Sequence, residues 1–128
     1  MTRRLVVLVV DDDASLRAAH CMLVDFCGHT AIGARGGREA LDVLENREVD
    51  MIISDLSMPI MGGLEFVGRV RGLSLPRQPY VVIVTSTPEG VSGADIKSLS
   101  IRAVLEKPAE RDELVTQIDA ALREIEVM

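Results

Sequence analysis

Aromatic residues are scarce in this sequence, and their scarcity limits what its surface can bind. The 128 residues include no tryptophan, one tyrosine and two phenylalanines. Proteins that bind single-stranded nucleic acid by stacking need several aromatic side chains. The net charge of -6 also disfavours contacts with phosphate backbones, which require clustered Lys and Arg. We therefore expect that this chain does not bind nucleic acid directly.

Cysteine is nearly absent as well. Cys21 and Cys27 lie six residues apart on one predicted helix, which is too far for an unstrained disulfide. There is no C-x-x-C motif and no His/Cys cluster, so the sequence does not indicate a zinc site. We expect both cysteines to be buried thiols in a reducing compartment.

Long hydrophobic runs are also missing. No apolar run approaches the length that crosses a membrane. The run at residues 5–10 follows Thr2, Arg3 and Arg4, but it is too short for a secretory signal and three aspartates follow it directly. We therefore expect a cytoplasmic protein without membrane contact. Its length fits one compact domain over residues 1–128.

Strand-like and helix-like segments alternate five times along the chain. Apolar runs predict strands at residues 5–10, 30–34, 51–55, 80–85 and 103–106. Helical periodicity and end signals predict helices at residues 14–27, 38–47, 63–71, 88–98 and 111–126. This alternation predicts an α/β fold, with a parallel sheet, helices on both faces and right-handed crossovers.

Two of the predicted helices carry readable end signals. Asp13 is placed to cap the first helix and Gly28 to end it. Its apolar stripe consists of four residues at helical spacing, Leu16, Ala19, Leu23 and Phe26. Thr87 before Pro88 predicts the start of the fourth helix. Gly90 and Gly93 should weaken that helix.

Polar side chains stand at the ends of four predicted strands. Asp11 and Asp12 follow the first strand, Asp55 ends the third, Thr85 ends the fourth and Lys107 follows the fifth. The carboxyl ends of parallel strands form the functional crevice in open α/β sheets, so we expect these five residues to lie together.

The chemistry of that cluster follows from its residue types. Three carboxylates in one crevice cannot all remain ionised without a cation, and oxygen ligands favour Mg²⁺. A carboxylate can attack phosphorus to form an aspartyl phosphate. A lysine and a hydroxyl can hold the oxygens of the transferred phosphoryl group.

The motifs that carry these residues resemble those of a known family. V-L-V-V-D-D-D, I-I-S-D-L-S-M-P-I-M-G-G, V-I-V-T-S and V-L-E-K-P are similar to the receiver domain of bacterial response regulators (CheY-like) in two-component signalling. The resemblance covers essentially the whole chain in the family's order and spacing. It implies a single-domain flavodoxin-like (βα)5 sandwich with strand order 2-1-3-4-5.

The resemblance also implies a role for each site residue. Asp55 would be the phosphoacceptor, and Thr85 and Lys107 would grip the phosphoryl group. Mg²⁺ would be held by the carboxylates of Asp11, Asp12 and Asp55 and by the backbone carbonyl of Ser57. The Lys107–Pro108 peptide bond would be cis.

The phosphoryl donor follows from the same resemblance, and the output surface follows from the weak fourth helix that begins just after Thr85. The phosphoryl donor would be a phosphohistidine on a sensor histidine kinase or phosphotransfer protein. Phosphorylation would switch a surface formed by the fourth helix, fifth strand and fifth helix, near Ala94, Lys97, Val104 and Arg111, for a downstream partner of unknown identity. Such a chain is a regulatory phosphoprotein that catalyses only its own phosphorylation and dephosphorylation.

Three positions depart from the family's pattern. Val104 stands where a tyrosine or phenylalanine is usual, so the ring that swings inward on phosphorylation is missing. Ala109 replaces a common phenylalanine after the Lys-Pro pair, and Gly62 replaces a common acid or asparagine. None of these changes touches the phosphorylation chemistry.

Three other interpretations remain open at this point. A Mg²⁺-dependent phosphatase of the haloacid-dehalogenase type also uses an aspartate nucleophile, but it needs a second Asp where Ser57 stands. A flavodoxin needs a hydroxyl- and glycine-rich phosphate loop in place of the three acids. A degenerate receiver would act only as a protein-interaction scaffold.

Overall fold

Five parallel strands form one sheet in the order β2-β1-β3-β4-β5, as the resemblance implied. The strands are β1 Val6–Val10, β2 Thr30–Ala34, β3 Met51–Asp55, β4 Tyr80–Thr85 and β5 Ile101–Glu106. This computed structural model describes residues 3–127, so Met1, Thr2 and Met128 of the expected 1–128 domain lie outside the described residues. The fifth strand begins two residues earlier than predicted.

The helices that connect the strands are α1 Ala14–Phe26, α2 Gly37–Asn46, α3 Gly63–Arg71, α4 Gly93–Ser98 and α5 Arg111–Glu126. They cover both faces of the sheet and enclose two apolar cores. Ala40, Leu44, Phe66 and Val70 of α2 and α3 pack in one core. Val24 of α1 packs with Leu114, Ile118 and Ile125 of α5 in the other. Within the described range, no helix has the length and apolar character needed to cross a bilayer.

The central strand of the sheet is β3, and all five of its residues are buried. Strands without an exposed face read as continuous apolar runs, which is why this segment was predictable. Val10 of β1 pairs with Ser54 of β3, and Asp55 of β3 pairs with Val84 of β4. This register brings the carboxyl ends of the three strands to the same edge of the sheet.

The predicted apolar face of α1 was only partly right, because Leu23 packs against one core but other residues of the stripe do not. Phe26 is 85% exposed and Ala19 is exposed, whereas His20 and Val24 are buried. Helical spacing alone cannot tell which stripe faces the sheet, and the buried stripe contains a histidine that a hydrophobicity pattern does not count. The two cysteines are free and partly buried against one core, so the expectation of buried thiols is confirmed only in part.

The two ends of α1 agree with prediction. The carboxylate of Asp13 accepts hydrogen bonds from the backbone N–H groups of Ser15 and Leu16. Gly28 follows the helix with φ of 87°, a conformation that is strained for most other residues.

The predicted start of the fourth helix was wrong. Pro88–Gly90 is a separate 3-10 turn, and Thr87 makes no side-chain cap hydrogen bond. The helix α4 begins at Gly93, where Ser92 and Asp95 form a reciprocal capping box that competes successfully with the earlier start. Neither Gly90 nor Gly93 therefore lies in a helix interior. No residue of α4 is buried, so this helix is held mainly by its flanking residues.

The end of α4 is tied to the rest of the domain by Arg71, the last residue of α3. Its guanidinium donates to the backbone oxygens of Leu99 at 2.7 Å and Ser100 at 3.0 Å. It also donates to the backbone oxygen of Pro79 at 3.0 Å. One side chain thereby joins α3, the start of β4 and the turn between α4 and β5.

A buried acid occupies the amino-terminal edge of the sheet. Asp50, just before β3, accepts a hydrogen bond from the backbone N–H of Val6 at 2.8 Å. It also forms ion pairs with Arg3, at 3.2 Å, and with Arg77. Every oxygen of this carboxylate therefore has a partner within the domain.

Candidate functional site

Two buried aspartates meet at the carboxyl edge of the sheet. Asp55 is the last residue of β3 and Asp11 follows β1 directly, and their exposures are 7% and 3%. The neighbouring Asp12 is exposed. One carboxylate oxygen from each of the three residues lies within 4.8 Å of the other two. The structure therefore brings together the acidic trio that the sequence predicted.

Asp11 is held in place by the beginning of α1. The backbone N–H of Asp13 donates to Asp11 Oδ1 at 2.9 Å. The guanidinium of Arg17 donates to the backbone oxygen of Asp11 at 2.8 Å. Sequence reasoning missed Arg17, although its place one turn inside a helix that starts at Ala14 could have indicated it.

Lys107 supplies the positive charge of the site. Its Nζ lies 3.1 Å from Asp55 Oδ1 and 3.4 Å from Asp11 Oδ2. Burial lowers the pKa of Lys107, but the hydrogen bond to Asp55 and the charges of Asp11 and Asp55 outweigh burial, so the pKa is raised overall. The ammonium group is therefore fully charged at neutral pH. The Lys107–Pro108 peptide bond is cis, as expected.

Thr85 ends β4 at the same edge and is 1% exposed. Its hydroxyl oxygen accepts a hydrogen bond from the N–H of Thr87 at 3.0 Å and lies 3.3 Å from the Thr87 hydroxyl. Its backbone oxygen accepts from the N–H of Lys107 at 2.8 Å, which helps to position the lysine. The threonine hydroxyl thus bonds within its own loop rather than to the acids.

The two ends of the loop after Asp55 are joined by a short backbone hydrogen bond. The N–H of Gly63 donates to the oxygen of Leu56 at 2.7 Å. A Cβ at Gly63 would lie 2.4 Å from the backbone oxygen of Asp55, so only glycine fits there. Ser57 is exposed on this loop, and its N–H lies 3.4 Å from Asp55 Oδ1. A backbone N–H group of this loop therefore lies beside the Asp55 carboxylate.

The donor set suits a hard divalent cation. Three carboxylates face one ammonium group, so the cluster carries excess negative charge at neutral pH. All the candidate ligand atoms are oxygens, which Mg²⁺ prefers. A carboxylate, a lysine and a cation site in one crevice are the elements needed for transfer of a phosphoryl group to the carboxylate.

Strand order, helix placement and this acidic site define a flavodoxin-like (βα)5 domain with functional groups at the carboxyl edge of its sheet. Residues 7–119 match the family model of the response regulator receiver domain. Because this match covers most of the chain, the chain belongs to the response regulator receiver family of two-component signalling.

Several curated relatives are similar over nearly the whole chain. The response regulator MprA of Mycolicibacterium vanbaalenii is 34% identical over 91% of this chain and 50% of its own length. The transcriptional regulatory protein FixJ of Bradyrhizobium diazoefficiens is 29% identical over 98% of this chain and 60% of its own length. The sensor kinase/phosphatase CqsS of Vibrio cholerae is 29% identical over 89% of this chain. The chain spans only 17% of CqsS and 26% of the Escherichia coli regulator GlrR.

Solved structures agree with the fold over almost their full length. The chemotaxis response regulator CheY4 of Vibrio cholerae has a TM-score of 0.82 and 30% identity, covering 93% of this chain and 99% of CheY4. A response regulator receiver protein from Pseudomonas putida has a TM-score of 0.81 and 27% identity, covering 94% of this chain and 99% of that chain. The fold and family implied by the sequence motifs are therefore confirmed.

Proposed function

We propose that this chain is the phosphoacceptor of a two-component phosphorelay and that Asp55 is the residue phosphorylated. A carboxylate oxygen of Asp55 attacks the phosphorus of a phosphohistidine on a sensor kinase or phosphotransfer protein. The oxygen–phosphorus bond forms as the phosphorus–nitrogen bond breaks. The bonding electron pair leaves with the imidazole nitrogen, which then takes up a proton.

One observation carries this proposal. A buried carboxylate at the end of the central strand has an ammonium group 3.1 Å away and two further carboxylates within 4.8 Å. The lysine can shift from the carboxylate to an oxygen of the incoming phosphoryl group and neutralise its charge. Thr85, at the end of the adjacent strand, supplies a hydroxyl that can turn from Thr87 toward the same group.

The acids would hold Mg²⁺. Asp11, Asp12 and Asp55 would supply carboxylate oxygens, and Ser57 would supply its backbone carbonyl. When bound, the ion would offset the negative charge that builds up on the transferred phosphoryl group. The N–H of Asp13 fixes the orientation of the Asp11 carboxylate, which supports this role.

The names of the relatives support a role as signal receiver rather than metabolic enzyme. FixJ and GlrR are transcriptional regulatory proteins, and CqsS is a sensor kinase/phosphatase. The chain would catalyse only its own phosphorylation and dephosphorylation and would pass the signal to an output partner or domain.

We place the output on the segment from Ser86 through α4 and on the surface formed by α4, β5 and α5. The loop begins next to Thr85, whose hydroxyl would be drawn toward the phosphoryl group. α4 has no buried residue, so shifting it costs little packing energy. Val104 is only partly buried and cannot swing a ring inward. Movement of the backbone from 86 to 98 would therefore carry the signal.

Incubation with Mg²⁺ and acetyl phosphate tests the phosphorylation. Intact-protein mass spectrometry should show one phosphoryl group that is stable in acid and labile in base. Asp55→Asn should abolish incorporation, and a chelator should do the same. Undiminished labelling of Asp55→Asn would move the phosphorylation site elsewhere.

The same assay separates the alternatives. A phosphatase would release phosphate from the substrate continuously without accumulating a labelled protein. A scaffold would neither accumulate label nor consume the phosphodonor. The matched control is Asp13→Asn, because Asp13 caps α1 with its carboxylate but is not one of the three clustered acids.

Amide hydrogen exchange tests the output segment. Exchange is measured with and without beryllofluoride, which mimics an acyl phosphate. Protection should change across residues 86–98. A change confined to the loop after Asp55 would show that the signal leaves by another route.

A further inference from the structure

The loop after Asp55 contains an isoleucine in an unfavourable backbone conformation. Ile60 has φ of 72°, and the N–H of Met61 donates to the oxygen of Pro59 at 2.8 Å. A hydrogen bond across three residues with positive φ at the centre is a γ-turn of the rare, strained type. For a β-branched residue a positive φ is an outlier, and glycine or asparagine would adopt it more readily.

The side chain of Ile60 buries no surface that would offset this strain. Its relative exposure is 103%, so it is fully accessible to solvent. The residues on either side anchor the loop instead. Met58 is 8% exposed, and Met61 packs against the core and against Gly37 at the start of α2. Packing of Met58 and Met61 therefore anchors the loop, while Ile60 between them extends into solvent.

Ile60 also lies on the loop that follows the proposed phosphoacceptor directly. It is five residues beyond Asp55, on the loop whose ends are joined by the bond from Gly63 to Leu56. The adjacent Pro59 is exposed too, so the tip of the loop is apolar. A protein that brings a phosphohistidine to Asp55 must cover the rim of the site, whereas a small phosphodonor need not touch the loop tip.

We infer that Ile60 is an apolar anchor for the protein that donates the phosphoryl group. Its side chain inserts into an apolar patch beside the phosphohistidine of a kinase or phosphotransfer domain. This inference rests on the proposed function and adds a specificity-determining residue to it. A loop whose backbone is already held in one conformation loses little entropy when it binds a partner, which suits Ile60 to this role.

The test compares two phosphodonors on the same variants. The small one is acetyl phosphate. The protein one is the phosphorylated histidine kinase core or phosphotransfer domain that transfers fastest to the wild-type chain in a screen of such domains. Ile60→Asn removes the apolar side chain and suits a positive φ, so folding should be kept. We expect labelling by acetyl phosphate at the wild-type rate, and a fall of about tenfold in kcat/KM for the protein donor.

Two further variants control the result. Ile60→Val keeps a β-branched apolar side chain and should retain most of the transfer rate. Ser100→Asn introduces asparagine at the other non-glycine position with positive φ among residues 3–127, outside the phosphoacceptor loop. It should leave both rates unchanged.

The outcomes separate this inference from the proposed function. Unchanged transfer from the protein donor to Ile60→Asn would overturn it. An equal loss with both phosphodonors would overturn it as well, because the side chain would then act on the site and not on the partner. Failure of the wild-type chain to be labelled by acetyl phosphate would instead overturn the proposed function.

Discussion

Strand β3 is bounded by two buried aspartates that differ in how their charge is satisfied. Asp50 precedes the strand and Asp55 ends it, and their exposures are 5% and 7%. Asp50 has a backbone N–H and two arginines as partners. Asp55 has Lys107 as its ion-pair partner and lies beside two further carboxylates.

The difference shows how one residue type serves structure at one end of a strand and chemistry at the other. A buried carboxylate with all its partners supplied by the protein stabilises the fold and is unavailable to a ligand. A buried carboxylate that lies beside two other carboxylates is stabilised when a cation binds among them. The two residues therefore make a matched pair for mutation.

The largest expected effect is on stability at the amino-terminal edge. Asp50→Asn should lower the free energy of unfolding by about 2 kcal/mol, because it leaves Arg3 and Arg77 without their buried counter-charge. Urea denaturation followed by circular dichroism measures the loss. Labelling of the folded variant by acetyl phosphate should stay at the wild-type level. Loss of labelling in folded protein would mean that the two ends of β3 are not independent.

A second prediction concerns Mg²⁺ linkage. At Mg²⁺ concentrations of about ten times Kd, the wild-type chain should gain about 1.4 kcal/mol in free energy of unfolding. Asp50→Asn should gain as much, because its acidic trio is intact. Asp55→Asn should gain clearly less. Equal gains in all three proteins would place the ion away from Asp55.

A smaller effect is expected when the metal is removed. In a chelator, Asp55→Asn should unfold with a free energy about 1 kcal/mol higher than that of the wild-type chain, because one of three mutually repelling carboxylates becomes neutral. Lys107 keeps Asp11 as a partner in this variant. Thermal and urea unfolding measure the difference. A destabilised Asp55→Asn would show that the lysine pair outweighs the repulsion.

The smallest effect concerns pH at the amino-terminal edge. His29 Nδ1 accepts a hydrogen bond from the N–H of Leu5 at 3.0 Å, so this nitrogen must be unprotonated. Burial lowers the pKa of His29; Asp119 and Asp50 oppose this effect and Arg4 adds to it. Below pH of about 6.5 the unfolded chain binds more protons at this residue than the folded chain does, so stability should fall as the pH falls through that range.

The matched variant for this prediction is His29→Asn, whose side-chain oxygen can accept the same hydrogen bond without titrating. Urea midpoints of the two proteins between about pH 7.5 and pH 5.5 isolate the contribution of His29. The wild-type midpoint should decline more steeply toward acid. Parallel curves would contradict the prediction.

The sequence predicted the parts of this molecule that depend on continuous patterns. Buried parallel strands produce unbroken apolar runs, and the residue after each run must lie at one edge of the sheet. For this reason the proximity of Asp11, Asp55 and Lys107 was predictable from the sequence alone. The capping role of Asp13 followed equally from a local rule.

Other features depend on information that no local pattern holds. Asp50 pairs with Arg3 and Arg77, which are 47 and 27 residues away in the chain. The stripe of α1 that meets the sheet is chosen by packing, and it includes His20 while leaving Phe26 exposed. The positive φ of Ile60 has no signal in the sequence, because isoleucine is among the residues least expected there.

The hydrogen bonds of Arg71 have a mechanical consequence. They hold the backbone where α4 ends, whereas the opposite end of the helix follows the loop from Thr85. At the other end Val91, which is 8% exposed, packs in the core just before α4 begins. A displacement at Thr85 would therefore reach the start of α4 through this buried valine, while Arg71 keeps the end of the helix in place.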